Sequence, residues 1–264
     1  MKLAAIQMVS GPEVAANLET AARLIEQAAT AGARIVALPE YFPLIGASDA
    51  ERLAAREADG AGPIQDFLAA TAKRHGLWLI GGSMPLVARE PDKLRNSTLV
   101  FDPQGQRVAR YDKIHLFAFD NGEEHYAEGE TIEAGEDIAT VSIAGLRVGL
   151  GICYDLRFPE LFRRMGTLDL IVLPAAFTAT TGRAHWELLL RARAIENQCY
   201  VLAAAQGGLH PGGRRTHGHS MIVDPWGEIL ACHATGEAVV MAEFSATRLT
   251  ELRRRLPALQ HRIF

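Results

Sequence analysis

Residues 146–159 read Leu-Arg-Val-Gly-Leu-Gly-Ile-Cys-Tyr-Asp-Leu-Arg-Phe-Pro, and the change of character midway through them decides the fold. The first half is short, apolar and glycine-bounded, as a strand buried on both faces of a parallel sheet must be. Pro159 then opens a segment with helical spacing through Leu161 and Phe162. Cys153 therefore stands on a tight strand-to-helix connection, where the carboxyl ends of parallel strands hold ligands. A lone cysteine is usually a small hydrophobe in a core. This one is followed at once by Tyr154, Asp155 and Arg157, so the chain turns polar and charged at the thiol.

Working outward, apolar runs alternate with amphipathic segments. Residues 3–8, 34–38 (RIVAL), a LWLIGG run, 168–173, YVLAAA, HSMIVD, EILACH and AVVMAEF read as strands. Residues 14–30, 63–74, 184–197 and 245–256 read as helices, with Ser245 as an N-cap and Trp186, Leu189, Leu190 and Ile195 as the buried side of the third. STLVFD and RVARYDK flank Pro103-Gln104-Gly105, and TVSI and LRVGLGI flank Ala144-Gly145, which predicts two hairpins. Hairpins make the sheets mixed. Two such layers with helices outside give an α/β protein, a four-layer α-β-β-α sandwich.

The 264 residues, 48% hydrophobic and 22% charged, suffice for one large core, and no low-complexity linker divides them, so a single domain over 1–264 is expected. A net charge of −4 excludes a dominant nucleic-acid footprint, and no apolar run approaches a membrane span. Three cysteines without CxxC spacing fit reduced thiols and a cytoplasmic protein. The Asn96-Ser97-Thr98 sequon is then without consequence.

Three reactive groups fall at the ends of separate strands: Glu40 after RIVALP, Lys113 after RVARYD, and Cys153. Each has an ordinary structural explanation, and their common placement favours chemistry. A free thiol titrates near pH 8.5, so a carboxylate to accept its proton and a cation beside it would make it a nucleophile. The lysine, together with the backbone N–H of Tyr154, would also meet the oxyanion of a tetrahedral intermediate. Other readings compete. One is a Cys-His hydrolase using His115 or His185. Another is a metal site from His210, His217 and His219 with Cys232 or His233, which lacks the spacing of structural zinc. A third is an inactive association scaffold, which has no need of such residues. No phosphate-binding glycine loop is present, and no metal or organic cofactor is expected.

LPEYF (38–42), YDKIHLF (111–117) and GICYDLRFPE (151–160) resemble the Glu-Lys-Cys motifs of the nitrilase superfamily of carbon-nitrogen hydrolases. The likeness continues through TGRAHWELLLRARAIENQCYV and GHSMIVDPWGEIL and spans nearly the whole chain. Within the superfamily the text is most similar to deaminated glutathione amidases, and omega-amidases share much of it. The resemblance implies Glu40 as general base and later acid, Lys113 as oxyanion stabiliser and Cys153 as nucleophile. It further implies a second acid, best matched by Glu128 in YAEGETIEAGE, with Glu123, Glu124 and Glu130 competing; the loop 118–127 is short for such an amidase. It also implies cleavage of a small carboxylic amide through a thioester with release of ammonia, and a homodimer or higher homo-oligomer. A ketoacid amide such as α-ketoglutaramate, a nitrile or an N-carbamoyl compound are alternative substrates. Arg157 is a candidate carboxylate clamp, and Tyr41, Phe42, Tyr154 and Phe177 are candidate pocket walls.

Overall fold

A computed structural model describes residues 1–46 and 48–263 and contains two stacked sheets. In the first, the central strands Lys2–Gln7, Ala33–Ala37 and Trp78–Ile80 run parallel, and Ala238–Glu243 closes one side antiparallel to Lys2–Gln7. Leu94–Phe101 pairs antiparallel with Trp78–Ile80 and Met84–Val87 on one edge and with Arg107–Asp112 on the other. In the second sheet, Leu146–Leu150, Leu170–Ala175 and Tyr200–Ala205 are parallel. Antiparallel Thr140–Ile143 flanks them on one side, and Ser220–Val223 with Ile229–His233 on the other.

Side-chain alternation along the strands assigns the layers. Leu3, Ala5, Ile35 and Ala37 face the second sheet and join Val148, Leu150 and Val172 in one core. Ala4, Ile6 and Val36 face the other way, onto Leu24 and Ile25 of helix Val14–Thr30 and Leu68 of helix Pro63–His75. Helix Ala179–Asn197 covers the far side of the second sheet through Trp186, Leu190 and Ala194. The result is the α-β-β-α sandwich expected from the sequence.

Both hairpins form, and the turn between Thr140–Ile143 and Leu146–Leu150 takes positive φ at Ala144 (51°) and Gly145 (83°), as a tight two-residue hairpin turn requires. Ser245 caps the last helix by accepting from Arg248 N. Two details differ from expectation. Helix Ala179–Asn197 begins five residues before the predicted start, where the Thr178 side chain accepts from Thr181 N. Ile195 is 50% exposed, because the buried stripe runs Trp186, Leu190, Arg193, Ala194 and Asn197 at steps of three and four, and residue 195 falls off it. Among the described residues no helix is long and apolar enough to cross a membrane.

Candidate active site

The carboxyl ends of strands from both sheets meet at one place, where an isolated parallel bridge joins Met8 to Gln206. Glu40 arrives just past Ala33–Ala37. The next residue, Tyr41, adopts φ 54°, and its N–H donates to Ser83 Oγ at 3.0 Å. Lys113 follows Arg107–Asp112 directly, and its N–H donates to Asn96 O at 2.9 Å. Cys153 opens the 3-10 turn Cys153–Arg157 with φ 49°, a left-handed conformation that a non-glycine residue holds only when its surroundings impose it. The imposing group is Asp155. Fully buried, it accepts from Ile152 N at 2.8 Å, from the Tyr111 hydroxyl at 2.7 Å and from His115 N at 3.2 Å, and lies 2.7 Å from His115 Nδ1.

The predicted trio is together, and Glu128 is with it. Lys113 Nζ, wholly buried, lies 2.9 Å from Glu40 Oε1 and 3.0 and 2.8 Å from the two oxygens of Glu128. Glu128 is further held by the Tyr41 hydroxyl and Phe117 N, each at 2.7 Å. Burial alone would lower the Lys113 pKa, but the carboxylates of Glu128 and Glu40 outweigh it and hold the ammonium well above the usual lysine range. Burial would raise Glu128, and Lys113 with the two other donors brings it below the ordinary glutamate value. The Cys153 thiol shares its pocket with Glu40 and Ala176. Burial, then the Glu40 carboxylate, push it well above the usual thiol range, against the pull of Lys113. At rest the cysteine is therefore a thiol beside an acceptor for its proton.

The competing glutamates are elsewhere: Glu123 and Glu130 are exposed, and Glu124 accepts from the Thr180 hydroxyl at 2.7 Å. His115 is engaged by Asp155 and stacks on Phe158 at 3.7 Å between ring centroids, while His185 Nδ1 lies 3.2 Å from Arg157 Nη1. His217 and His219 stack on each other at 4.1 Å, and among the described residues no three His, Cys, Asp or Glu side chains gather as metal ligands.

Cys153 opens into a narrow pocket with Tyr154, Arg157, Phe177 and Arg214 on its walls. Two of the expected walls are corrected. Phe42 is fully buried in the outer core beside Val36 and Leu38, because the left-handed turn at Tyr41 sends the chain back under the sheet. Tyr41 is also buried; its hydroxyl holds Glu128, and it does not line the pocket. Arg157 makes no ion pair with Asp155 or Glu160, and its guanidinium instead lies over the Tyr154 and Phe177 rings at 5.7 and 5.3 Å. Two neighbours escaped the sequence reading. Asn96, dismissed as an idle sequon, donates from Nδ2 to Glu40 Oε1 at 3.0 Å, and Arg214 comes from a loop with no periodic signal.

A buried thiol, two carboxylates and one shared ammonium thus gather at converging strand ends of a four-layer sandwich. The profile of the carbon-nitrogen hydrolase family matches residues 2–254, and the chain belongs to that family. It is 44% identical over 268 residues to the deaminated glutathione amidase of Synechocystis sp., covering 99% of this chain and 97% of that one. It is 40% identical over 274 residues to the human omega-amidase NIT2, covering 99% and 94%. Among solved structures, Saccharomyces cerevisiae Nit3, a member of branch 10 of the nitrilase superfamily, superposes with a TM-score of 0.88. The identity to it is 31%, over 100% of this chain and 97% of that one.

Proposed function

We propose that the protein is an amidase that opens the amide of a small carboxylic acid through a Cys153 thioester, with deaminated glutathione as its foremost substrate and α-ketoglutaramate as the second. The observation that carries this reading is Lys113 Nζ bridging Glu40 and Glu128 beside the Cys153 thiol.

Glu40 takes the thiol proton as Sγ attacks the amide carbon. The electron pair of the C=O bond moves onto oxygen, where the Lys113 ammonium and the Tyr154 N–H are the donors. Collapse of this intermediate breaks the C–N bond, and Glu40 returns the proton to the departing nitrogen. Ammonia leaves from a primary amide, and an amine from a secondary amide such as deaminated glutathione. Water, deprotonated by Glu40, then cleaves the thioester, and the thiol recovers its proton. Glu128 has both oxygens committed to Lys113, Tyr41 and Phe117 N, which suits it to keep the ammonium charged and aimed rather than to shuttle protons.

The test is a screen of deaminated glutathione, α-ketoglutaramate, simple amides, N-carbamoyl amino acids and nitriles, with the acid product measured, since an ammonia readout misses secondary amides. Wild-type turnover of the first two, absent in Cys153→Ala, is expected. A preference for nitriles or carbamoyl compounds would overturn the substrate, and turnover undiminished by Cys153→Ala would overturn the mechanism.

The free state of Cys153, Cys199 and Cys232 supports a cytoplasmic setting. Leu188, 68% exposed, and Ile195 on helix Ala179–Asn197 support assembly into at least a dimer, which sedimentation at micromolar concentration tests.

A further inference from the structure

Arg214 stands on the loop between strands Tyr200–Ala205 and Ser220–Val223 and lines the pocket that holds Cys153. Its guanidinium lies over the rings of Tyr41 and Tyr126, 5.9 and 5.6 Å from their centroids. Aromatic faces hold the plane of a guanidinium but offer its N–H groups no lone pairs. Of its donors, Nη2 has only a long contact with Ala176 O at 3.4 Å, and Nε is buried with no acceptor. A buried donor left unpaired costs free energy that an incoming acceptor recovers.

The two arginines buried elsewhere among the described residues are matched with acids, Arg95 with Glu133 and Arg193 with Glu196. Among the described residues Arg214 and Arg157 have no such partner, and both face the same pocket. The acids there, Glu40 and Glu128, are already tied to Lys113. With the two arginines the pocket sets three cations against two carboxylates, so the missing partner is an anion. The two guanidiniums rest on separate aromatic pairs, Tyr154 with Phe177 and Tyr41 with Tyr126, which makes two seats rather than one fork.

We infer that Arg214 is a specificity-determining residue that seats a second substrate carboxylate, so that the enzyme selects an amide carrying one carboxylate on its acyl part and another on its amine part. The inference rests on the amidase reading and divides its two substrates. Deaminated glutathione carries both carboxylates, and α-ketoglutaramate carries one.

The experiment compares kcat/KM for the two substrates in the wild type, Arg214→Met and Arg214→Lys, with circular dichroism to establish folding. The ratio of deaminated glutathione to α-ketoglutaramate should fall roughly 10- to 100-fold in Arg214→Met, carried by KM. Arg214→Lys, which keeps the charge but not the planar fork, should lose part of that ratio. Calorimetric titration of deaminated glutathione into Cys153→Ala, with and without Arg214→Met, should show Kd rising by a similar factor. An unchanged ratio and Kd in folded Arg214→Met would overturn the inference, as would a wild-type ratio and Kd in Arg214→Lys should the methionine variant not fold. If the wild type hydrolyses neither substrate, the amidase reading fails. Titrating the Cys153→Ala background still decides whether Arg214 seats the carboxylate.

Discussion

Asn96 Nδ2 donates at 3.0 Å to Glu40 Oε1, the same oxygen that Lys113 Nζ reaches at 2.9 Å. Two donors on one oxygen fix the rotation of the carboxylate. The arrangement carries a cost, because Asn96 Oδ1 is buried without a partner. Flipping the amide to relieve it would set two oxygens against each other.

Asn96→Leu removes the donor together with the unpaired acceptor, so the fold should hold while Glu40 loses its orientation. We expect kcat/KM to fall roughly 10- to 100-fold with little change in melting temperature. A wild-type kcat/KM in this variant would assign the orientation of Glu40 to Lys113 alone.

Lys113 should not tolerate arginine. Its ammonium sits within 3.0 Å of three carboxylate oxygens in a fully buried space, and a planar guanidinium cannot occupy that point and also meet the oxyanion. Loss of one such donor costs roughly 100- to 1,000-fold in rate, which steady-state kcat of Lys113→Arg would measure. Near-normal kcat would move the oxyanion role to backbone N–H groups.

The thiol offers a test with a sign. Burial and the Glu40 carboxylate raise the Cys153 pKa, and the Lys113 ammonium lowers it. Glu40→Gln should therefore bring the titration of Cys153 to lower pH, and Lys113→Met should send it still higher. The pH dependence of iodoacetamide alkylation reads this directly, and shifts in the same direction would contradict the electrostatics. In the wild type, turnover should not track thiolate formation under the proposed mechanism, in which Glu40 takes the proton during attack.

Where the chemistry is local, the sequence announces it. The LRVGLGI strand, the turn glycines and the placement of Glu40, Lys113 and Cys153 at strand ends are properties of short segments, and chain topology then brings those ends together. Asn96 could not be read this way. It lies in a strand whose eight residues are all buried, so no alternation separates a hydrogen-bonding asparagine from packing. Arg214 sits in a glycine-rich loop, where pattern carries no information about what the side chain faces. Phe42 was misplaced because a strand-end reading does not foresee the left-handed φ of 54° at Tyr41.

Asp155 is a positioning residue whose effect should separate from substrate binding. Its carboxylate receives the Tyr111 hydroxyl from the strand that Lys113 follows and the Ile152 N–H immediately before Cys153, so it ties the two sheets together beside Lys113 and Cys153. Asp155→Asn replaces one acceptor oxygen with a donor and opposes N–H to N–H or O–H at a site with no exposure. We expect a loss of about 2–3 kcal/mol in unfolding free energy, against about 1 kcal/mol for Tyr111→Phe, which removes a single hydrogen bond. A double-mutant cycle of the two should give a coupling of at least 0.5 kcal/mol, the lower bound usual for residues in contact. Well below the melting temperature, kcat should fall by more than KM rises, because the strained Cys153 turn relaxes while Arg157 and Arg214 remain in the pocket. If KM alone changed, Asp155 would be shaping the pocket rather than aiming the nucleophile.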